Sequence, residues 1–268
     1  MIERVCQEEY LYLLMKYLPD VNHERILLRT KNGGIMKQII LLGIIIAIAG
    51  CATPGVSTSD YSRHEPKSIK NEIQVDQPYT QVWDRLVREL SKSFYVINNI
   101  DKESRIINIS FSTQTPTDFV DCGEAHRTYK RGKELDNYDY NVADSSSFKF
   151  TGSTHGTLFD FANVRRTTTL EGRSNIYLAP LENDKNKTTV AVNTRYILTI
   201  ETAADAFSQN MYGQIMSLGP DPHSPPIVIS FNTNKPENHT FGDRGRTIEV
   251  TCFSNGKLEQ DVLGILQK

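Results

Sequence analysis

Two stretches of alternating apolar residues constrain the fold of this chain most strongly. Within residues 188–201 the large side chains of alternate positions share one face, and they are Val190, Val192, Thr194, Tyr196, Leu198 and Ile200. A period of two residues is typical of a β-strand with one buried face. Residues 166–179 have a similar character, and the polar segment 180–187 between the two stretches predicts a turn. We therefore expect an antiparallel strand pair with one face in the core.

An amphipathic helix is predicted after Pro78, a residue tolerated at a helix start. Val82, Leu86 and Leu90 recur at the spacing that places them on one side, with Trp83 beside them. Further predicted elements are a strand at 69–75, a hairpin within 94–111, a short helix around 203–216, strands at 227–232 and 247–253, and a C-terminal helix at 257–267. The pattern predicts an α+β fold, an antiparallel sheet with one helix after the first strand and one at the C-terminus.

Residues 37–51 have the features of an export signal. A lysine precedes an apolar stretch that is too short to cross a bilayer as a stable helix, and small residues precede Cys51. The ending Ile48-Ala49-Gly50-Cys51 resembles the lipobox of bacterial lipoproteins. This resemblance implies that Cys51 is acylated and that the chain is cut before it. The alternative is a short buried strand or helix that ends in an ordinary cysteine.

The position of this signal predicts the domain organisation. Because a signal of this kind works at an amino terminus, residues 1–35 are interpreted as a mis-assigned start, the alternative being a small helix with its own role. Residues 36–50 are then the signal peptide, and residues 51–68, which are small and polar, form a flexible tether. Residues 69–268 make a single α+β domain. Polar residues dominate about 113–163, so this segment is predicted to be a long irregular insertion.

The cysteines predict a disulfide bond. Cys6 falls in the doubtful leader and Cys51 carries lipid, which leaves Cys122 and Cys252 in an oxidising compartment. We expect these two to pair, and the alternative is two buried free thiols. Neither cysteine has histidines grouped near it at the spacing of a metal site, so we expect no metal and no cofactor.

Few residues predict chemistry. Gly152-Ser153-Thr154-His155-Gly156 has the outline of a nucleophile elbow but lacks its strand and helix context, so no catalytic residue is expected. A formal net charge of −2 gives no reason to expect nucleic-acid binding. The candidate partner surface is an aromatic and basic segment, and an ordinary solvated loop is the alternative. Its residues are Tyr129, Arg131, Tyr138 and Tyr140.

A family resemblance extends these expectations. The element order, the stretch 82–86 after a strand and a Pro-Tyr pair, and the lipobox resemble the helix-grip domains of the barrel-assembly lipoprotein C family of Gram-negative outer membranes. The resemblance implies a lipid-anchored protein at the outer membrane that faces the periplasm. Ala52 agrees with this location, because lipoproteins retained at the inner membrane favour Asp there.

The expected function is a non-enzymatic binding or scaffolding module with an envelope protein as its partner, in outer-membrane assembly. A binder of a small ligand or of peptidoglycan is the alternative, and a hydrolase comes third. Acyl chains on Cys51 would hold the module to the membrane.

Replacing Cys51 by alanine tests the predicted anchor. Metabolic labelling with a fatty-acid analogue is expected to mark the wild-type protein, whereas the Cys51→Ala variant stays unlabelled and unprocessed, because the thiol is the acyl acceptor. Cys6→Ala is the matched control and keeps the label. Recovery of peptides from residues 1–35 in the mature membrane-bound protein would contradict the predicted start.

Overall fold

The structure is a computed structural model that describes residues 55–154, 157–209, 214–220, 225–243 and 246–267. These residues form fourteen strands and two helices. The first eight strands are β1 Val56–Ser62, β2 Glu72–Val75, β3 Val96–Asp101, β4 Ile106–Thr113, β5 Val120–Asp121, β6 Glu124–Arg131, β7 Glu134–Asn141 and β8 Ser146–Thr154. The others are β9 Thr157–Leu181, β10 Asp184–Gln209, β11 Ile215–Pro220, β12 Ile227–Asn232, β13 Glu237–Asp243 and β14 Arg246–Ser254. The helices are α1 Tyr79–Leu90 and α2 Lys257–Gly264.

The predicted α+β, helix-grip-like fold is wrong, because the described residues are mostly β and form several antiparallel sheets. The insertion predicted over 113–163 contains strands β5 to β8 and is not irregular. Its Ser, Thr, Asn and Tyr residues suggest loops, yet the same residues suit strands with one hydrated face. The helix predicted around 203–216 is also wrong, since β10 continues to Gln209 and β11 begins at Ile215.

The hairpin of β9 and β10 is the centre of the largest sheet. The predicted pairing of 166–179 with 188–201 is confirmed, and the two strands pair along a greater length, from Phe161 opposite Phe207 to Leu181 opposite Asp184. On β10 the predicted inward positions, from Val190 to Ile200, are all buried. The opposite face of the hairpin is polar and exposed or half-buried. The hairpin therefore has one core face and one solvent face.

Shorter strands pair with both edges of this hairpin. The outer edge of β10 pairs in turn with β2, β12 and β11, while β9 pairs with β4 and β8, and β3 lies beyond β4. Two smaller sheets accompany it, one in the order β1-β6-β7 and one in the order β13-β14-β5. Residues 56–62, which the sequence assigns to a flexible tether, form β1 and pair with β6, so the tether prediction is wrong for these residues.

Helix α1 lies on the core face of the hairpin. Val82, Leu86 and Leu90 are fully buried, and Trp83 is 4% exposed, as the spacing predicts.

Gly172 of β9 admits the Phe111 ring, because a Cβ atom at this glycine would lie 2.0 Å from Phe111 Cε1. Any larger residue at position 172 would displace that ring from the core.

Helix α2 is anchored by a buried carboxylate. Glu259 is fully buried, and the Tyr196 hydroxyl donates to both of its oxygens at 3.1 Å. Thr233 Oγ1 donates to Glu259 Oε1 at 2.6 Å, and the Ser254 hydroxyl donates to Tyr196 Oη at 3.2 Å. Burial, and then the charge of Glu259, raise the pKa of Tyr196, so its hydroxyl stays protonated and donates. These bonds satisfy a carboxylate that would otherwise be costly to bury.

A disulfide bond joins two of the sheets. Cys122 and Cys252, the pair that the sequence predicts, are bonded with their Cα atoms 4.1 Å apart and 130 residues apart in sequence. The Tyr61 hydroxyl donates to the Cys122 carbonyl at 3.1 Å and accepts the Thr251 N–H at 3.2 Å. The bond therefore links the residues between β5 and β6 to β14, with a β1 side chain bridging the same place.

Truncating Leu86 tests the packing of α1. Leu86→Ala is expected to lower the free energy of unfolding by about 2–5 kcal/mol, because it removes a fully buried side chain and leaves a cavity. Gln81→Ala, at an exposed position of the same helix, is the control and should change it by less than about 0.5 kcal/mol. Chemical denaturation measures both, and equal stabilities would contradict the packing.

Removing the disulfide tests the link between the sheets. The double variant Cys122→Ala, Cys252→Ala is expected to lose about 2–4 kcal/mol relative to the oxidised protein, since its unfolded chain is less restricted. A reducing agent should shift the wild-type unfolding midpoint and leave that of the double variant unchanged. A wild-type midpoint that is insensitive to reduction would show that the bond does not form.

Candidate functional site

A cavity lies between the core face of the hairpin and the two smaller sheets. Its volume is about 350 Å³. Most of its wall is apolar, with contributions from β1, from strands β6 to β10 and from β12 to β14. The apolar wall includes Phe148, Val164, Ile200, Ile227, Phe241 and Val250. Such a volume and lining are typical of a site for a small molecule.

The strand periodicity explains why these side chains face the cavity. Val164 and Ile200 occupy inward positions of β9 and β10, on the face that α1 covers further along the hairpin. Phe148 on β8 pairs with Val164 in register, which places another large apolar side chain on the same side of the sheet. The cavity is therefore the part of the hairpin face that no helix fills.

A more polar cleft adjoins the cavity. The cleft has a volume of about 480 Å³ and shares six lining residues with the cavity, among them Tyr61, Arg127 and Phe150. Its other lining residues are mostly hydroxylated or acidic, and they are Ser57, Thr58, Thr247 and Glu249. The site therefore changes from apolar to polar along its length, with Arg127 in both parts.

Arg127 lies on an aromatic stack. Its Nε donates to the Tyr140 hydroxyl at 2.9 Å, and its Cζ lies 4.4 Å from the centroid of the Phe148 ring. Tyr140 and Phe148 stack nearly parallel, with centroids 5.9 Å apart. Cation–π contact and the hydrogen bond fix the guanidinium plane. Arg127 is half-buried and remains within reach of the cleft.

Arg166 is a second, more deeply buried cation in the cavity wall. It is 8% exposed, and its Nη atoms donate to the backbone carbonyls of Val142 and Asp144. Burial is the main cause that lowers the pKa of Arg166 to about 10; the positive charge of Arg127 acts in the same direction, while Tyr140 and Asp144 oppose this shift. At neutral pH Arg166 is therefore charged inside a largely apolar wall.

Neither arginine forms an ion pair with a carboxylate within 4 Å among the described residues, whereas other arginines such as Arg165 and Arg173 do. The carboxylates in the lining belong to Asp60 and Glu249, which are both exposed. The inner part of the site therefore has excess positive charge, and the acidic groups lie on its solvent side.

The residues of the predicted partner surface are in a sheet, and most of them have neighbours that cover them. Tyr129 is 1% exposed and contacts the Phe161 ring edge, so it cannot belong to an exposed surface. Arg131 pairs with Asp160 at 3.8 Å, and the Tyr138 hydroxyl donates to Asp136 at 3.2 Å. Of the four residues, Tyr140 alone lines the cavity.

Neither arginine of the site is predicted from the sequence pattern. The alternation on β9 does mark Arg166, because Arg166 occupies the same inward-facing set of alternate positions as the buried residues Val164 and Leu170. A charged residue among buried positions is unusual and indicates that the protein provides partners for its charge. Arg127 has no such signal, since its contacts come from β7 and β8, whose pairing the sequence did not indicate.

Other predicted features lie outside the described residues or carry no site. Cys51, His155 and Gly156 are among the residues that the structure does not describe. Where residues are described, no group of three or more His, Cys, Asp or Glu side chains is placed to hold a metal ion. A helix with the length and hydropathy to cross a membrane is likewise not found among the described residues.

No protein family, curated protein or solved structure matches this chain. The resemblance to the barrel-assembly lipoprotein C family therefore stays a prediction from the sequence. The geometry of the cavity and cleft is the basis on which a function can be proposed.

Proposed function

We propose that this chain is a non-enzymatic, lipid-anchored binding protein that holds the hydrocarbon part of a small ligand in its cavity. The main support for this proposal is an apolar cavity of about 350 Å³ that opens into a polar cleft. An amphiphilic ligand matches this order, because its apolar part can leave water while its polar part stays hydrated.

The apolar wall supplies the binding energy in this proposal. Each methylene group that leaves water contributes roughly 0.8 kcal/mol, so about eight methylenes would contribute roughly 6 kcal/mol before the cost of immobilisation. Rigid strands form the wall, and the disulfide bond joins β14, which carries Val250, to the start of β6. A wall that is already formed costs little conformational entropy on binding.

The character of the lining supports binding over catalysis. The titratable groups that line the cavity are Asp60, Tyr61, Arg127, Tyr140 and Arg166. This set offers no histidine or cysteine among the described lining residues to act as a base or nucleophile near neutral pH. Arg127 and Tyr140 are bonded to each other and support the wall.

Of the functions expected from the sequence, the geometry favours the small-ligand binder. A glycan such as peptidoglycan would present hydroxyl groups to a wall of Val, Ile and Phe, which could not hydrogen-bond them. The scaffold role in outer-membrane assembly drew on the helix-grip resemblance, and the mostly β fold does not supply that support. Acylation of Cys51 is retained in the proposal, as the sequence predicts.

Filling the cavity tests the proposed function. Val164→Phe adds a ring where the cavity is empty, and it is expected to weaken binding of the uncharged dye Nile red at least about tenfold, measured by fluorescence titration. Val228→Phe is the matched control, because Val228 is 55% exposed on β12, and it should bind the dye like the wild type. Unfolding curves for each variant show whether the fold is kept.

Two results would contradict the proposal. The first is a wild-type protein that does not bind Nile red at all. The second is a folded Val164→Phe variant that binds the dye as tightly as the wild type, because the dye would then be held elsewhere. Should Val164→Phe fail to fold, Ile227→Phe fills the same cavity from another position, on β12 at the outer edge of β10.

A further inference from the structure

We propose that the ligand is a single-chain amphiphile with a carboxylate head, and that Arg127 binds this head where the cavity meets the cleft. This inference rests on the proposed function, and it adds the chemical class of the ligand and the residue that selects it. The carrying observation is that the half-buried guanidinium of Arg127 lies at the junction and has no carboxylate within 4 Å among the described residues.

Arg127 is oriented before any ligand arrives. Its Nε–H is used by Tyr140, and its plane rests on Phe148, so the terminal Nη groups are the donors that remain. Two parallel N–H donors from one guanidinium match the two oxygens of a carboxylate. Because the stack fixes the side chain, little rotamer entropy is lost when this pair of bonds forms.

Arg166 strengthens the preference for an anion. Its charge lies in the same wall, 5.7 Å from the centroid of Tyr140, whose hydroxyl accepts from Arg127. Backbone carbonyls accept one hydrogen bond from each Nη atom of Arg166, but they do not neutralise its charge. An anionic head at Arg127 would therefore be attracted by both cations in a region with limited access to water.

The acidic residues on the solvent side restrict the charge of the head. Asp60 lines both the cavity and the cleft, and Glu249 lines the cleft alone. Both carboxylates would repel a dianion, such as a phosphate monoester, about twice as strongly as a monoanion. A fatty-acid carboxylate carries a single negative charge. Both arginines attract it, and the acidic residues repel it less than they repel a dianion.

The experiment compares three amphiphiles with the same dodecyl chain, below their micelle concentrations, as competitors of bound Nile red, and dodecyl phosphate is titrated alongside them as the dianionic head. Dodecanoate is expected to bind at least about tenfold more tightly than dodecanol, because a hydrogen bond to a charged group is stronger than one to a neutral group. Dodecyltrimethylammonium is expected to bind most weakly, since both cations of the wall repel it.

The Arg127→Met variant identifies the group that selects the head. It keeps an unbranched side chain over Phe148 and removes the cation, so the ratio of dodecanoate affinity to dodecanol affinity is expected to fall from at least about tenfold to within about twofold of one. Arg173→Met is the matched control, because Arg173 is exposed on the opposite face of β9, and it should keep the preference.

The outcomes separate this inference from the proposed function. Equal binding of all three amphiphiles would overturn the inference and leave the proposed function standing, whereas binding of none would overturn the proposed function itself. Tighter binding of dodecyl phosphate than of dodecanoate would overturn the assignment of a carboxylate. A folded Arg127→Met variant that loses dodecanol as well would show that Arg127 only supports the aromatic wall, which also overturns the inference.

Discussion

One-sided burial of the β9–β10 hairpin is the constraint on which the rest of the structure depends. From Val164 to Leu178 on β9 and from Val190 to Ile200 on β10, the inward positions are buried and the outward positions face solvent. A shift of one residue in the pairing would expose every inward side chain and bury Arg, Glu and Asn in its place. Burial therefore fixes the pairing register over most of the hairpin. The strands that pair with its edges are aligned to the same register.

The inward face of the hairpin is packed against helices in one part and borders the cavity in another. Near the turn it meets α1 and α2, and the contacts of Leu86 and Glu259 close it completely. Further along, the two smaller sheets cover it without filling it, which leaves the cavity. One continuous strand pair thus supplies both a packed core and a binding wall, and the difference arises only from what lies opposite.

Two buried charged side chains, one in this face and one packed against it, are satisfied in different ways. Glu259 of α2 receives donated hydrogen bonds from Tyr196 and Thr233, which hold α2 against the sheet. Arg166 donates to backbone carbonyls and faces the cavity wall, where its charge can still act on a ligand. Burial of a charge is unfavourable at both positions, but only Arg166 is placed where a bound anion could offset that unfavourable free energy.

The sequence predicts the parts of this fold that periodicity and elimination can identify. The alternation around Tyr196, the spacing of Val82, Leu86 and Leu90, and the pairing of Cys122 with Cys252 are all found in the structure. The strands of residues 120–154 were missed, because their exposed faces are as polar as loops and their partners are distant in sequence. The cavity was missed for the same reason, since residues from nine strands form it and no local pattern marks their meeting.

The pairing of β1 with β6 limits how far the folded part of the protein can stand from a membrane. Val56 begins β1 only five residues after Cys51, and five residues of fully extended chain span at most about 18 Å. If Cys51 carries acyl chains as the sequence predicts, this short linker cannot extend the domain to a distant partner or across a wide compartment. Ser59 and Tyr61 of β1 line the cavity, so the strand that follows the predicted anchor is also part of the binding wall.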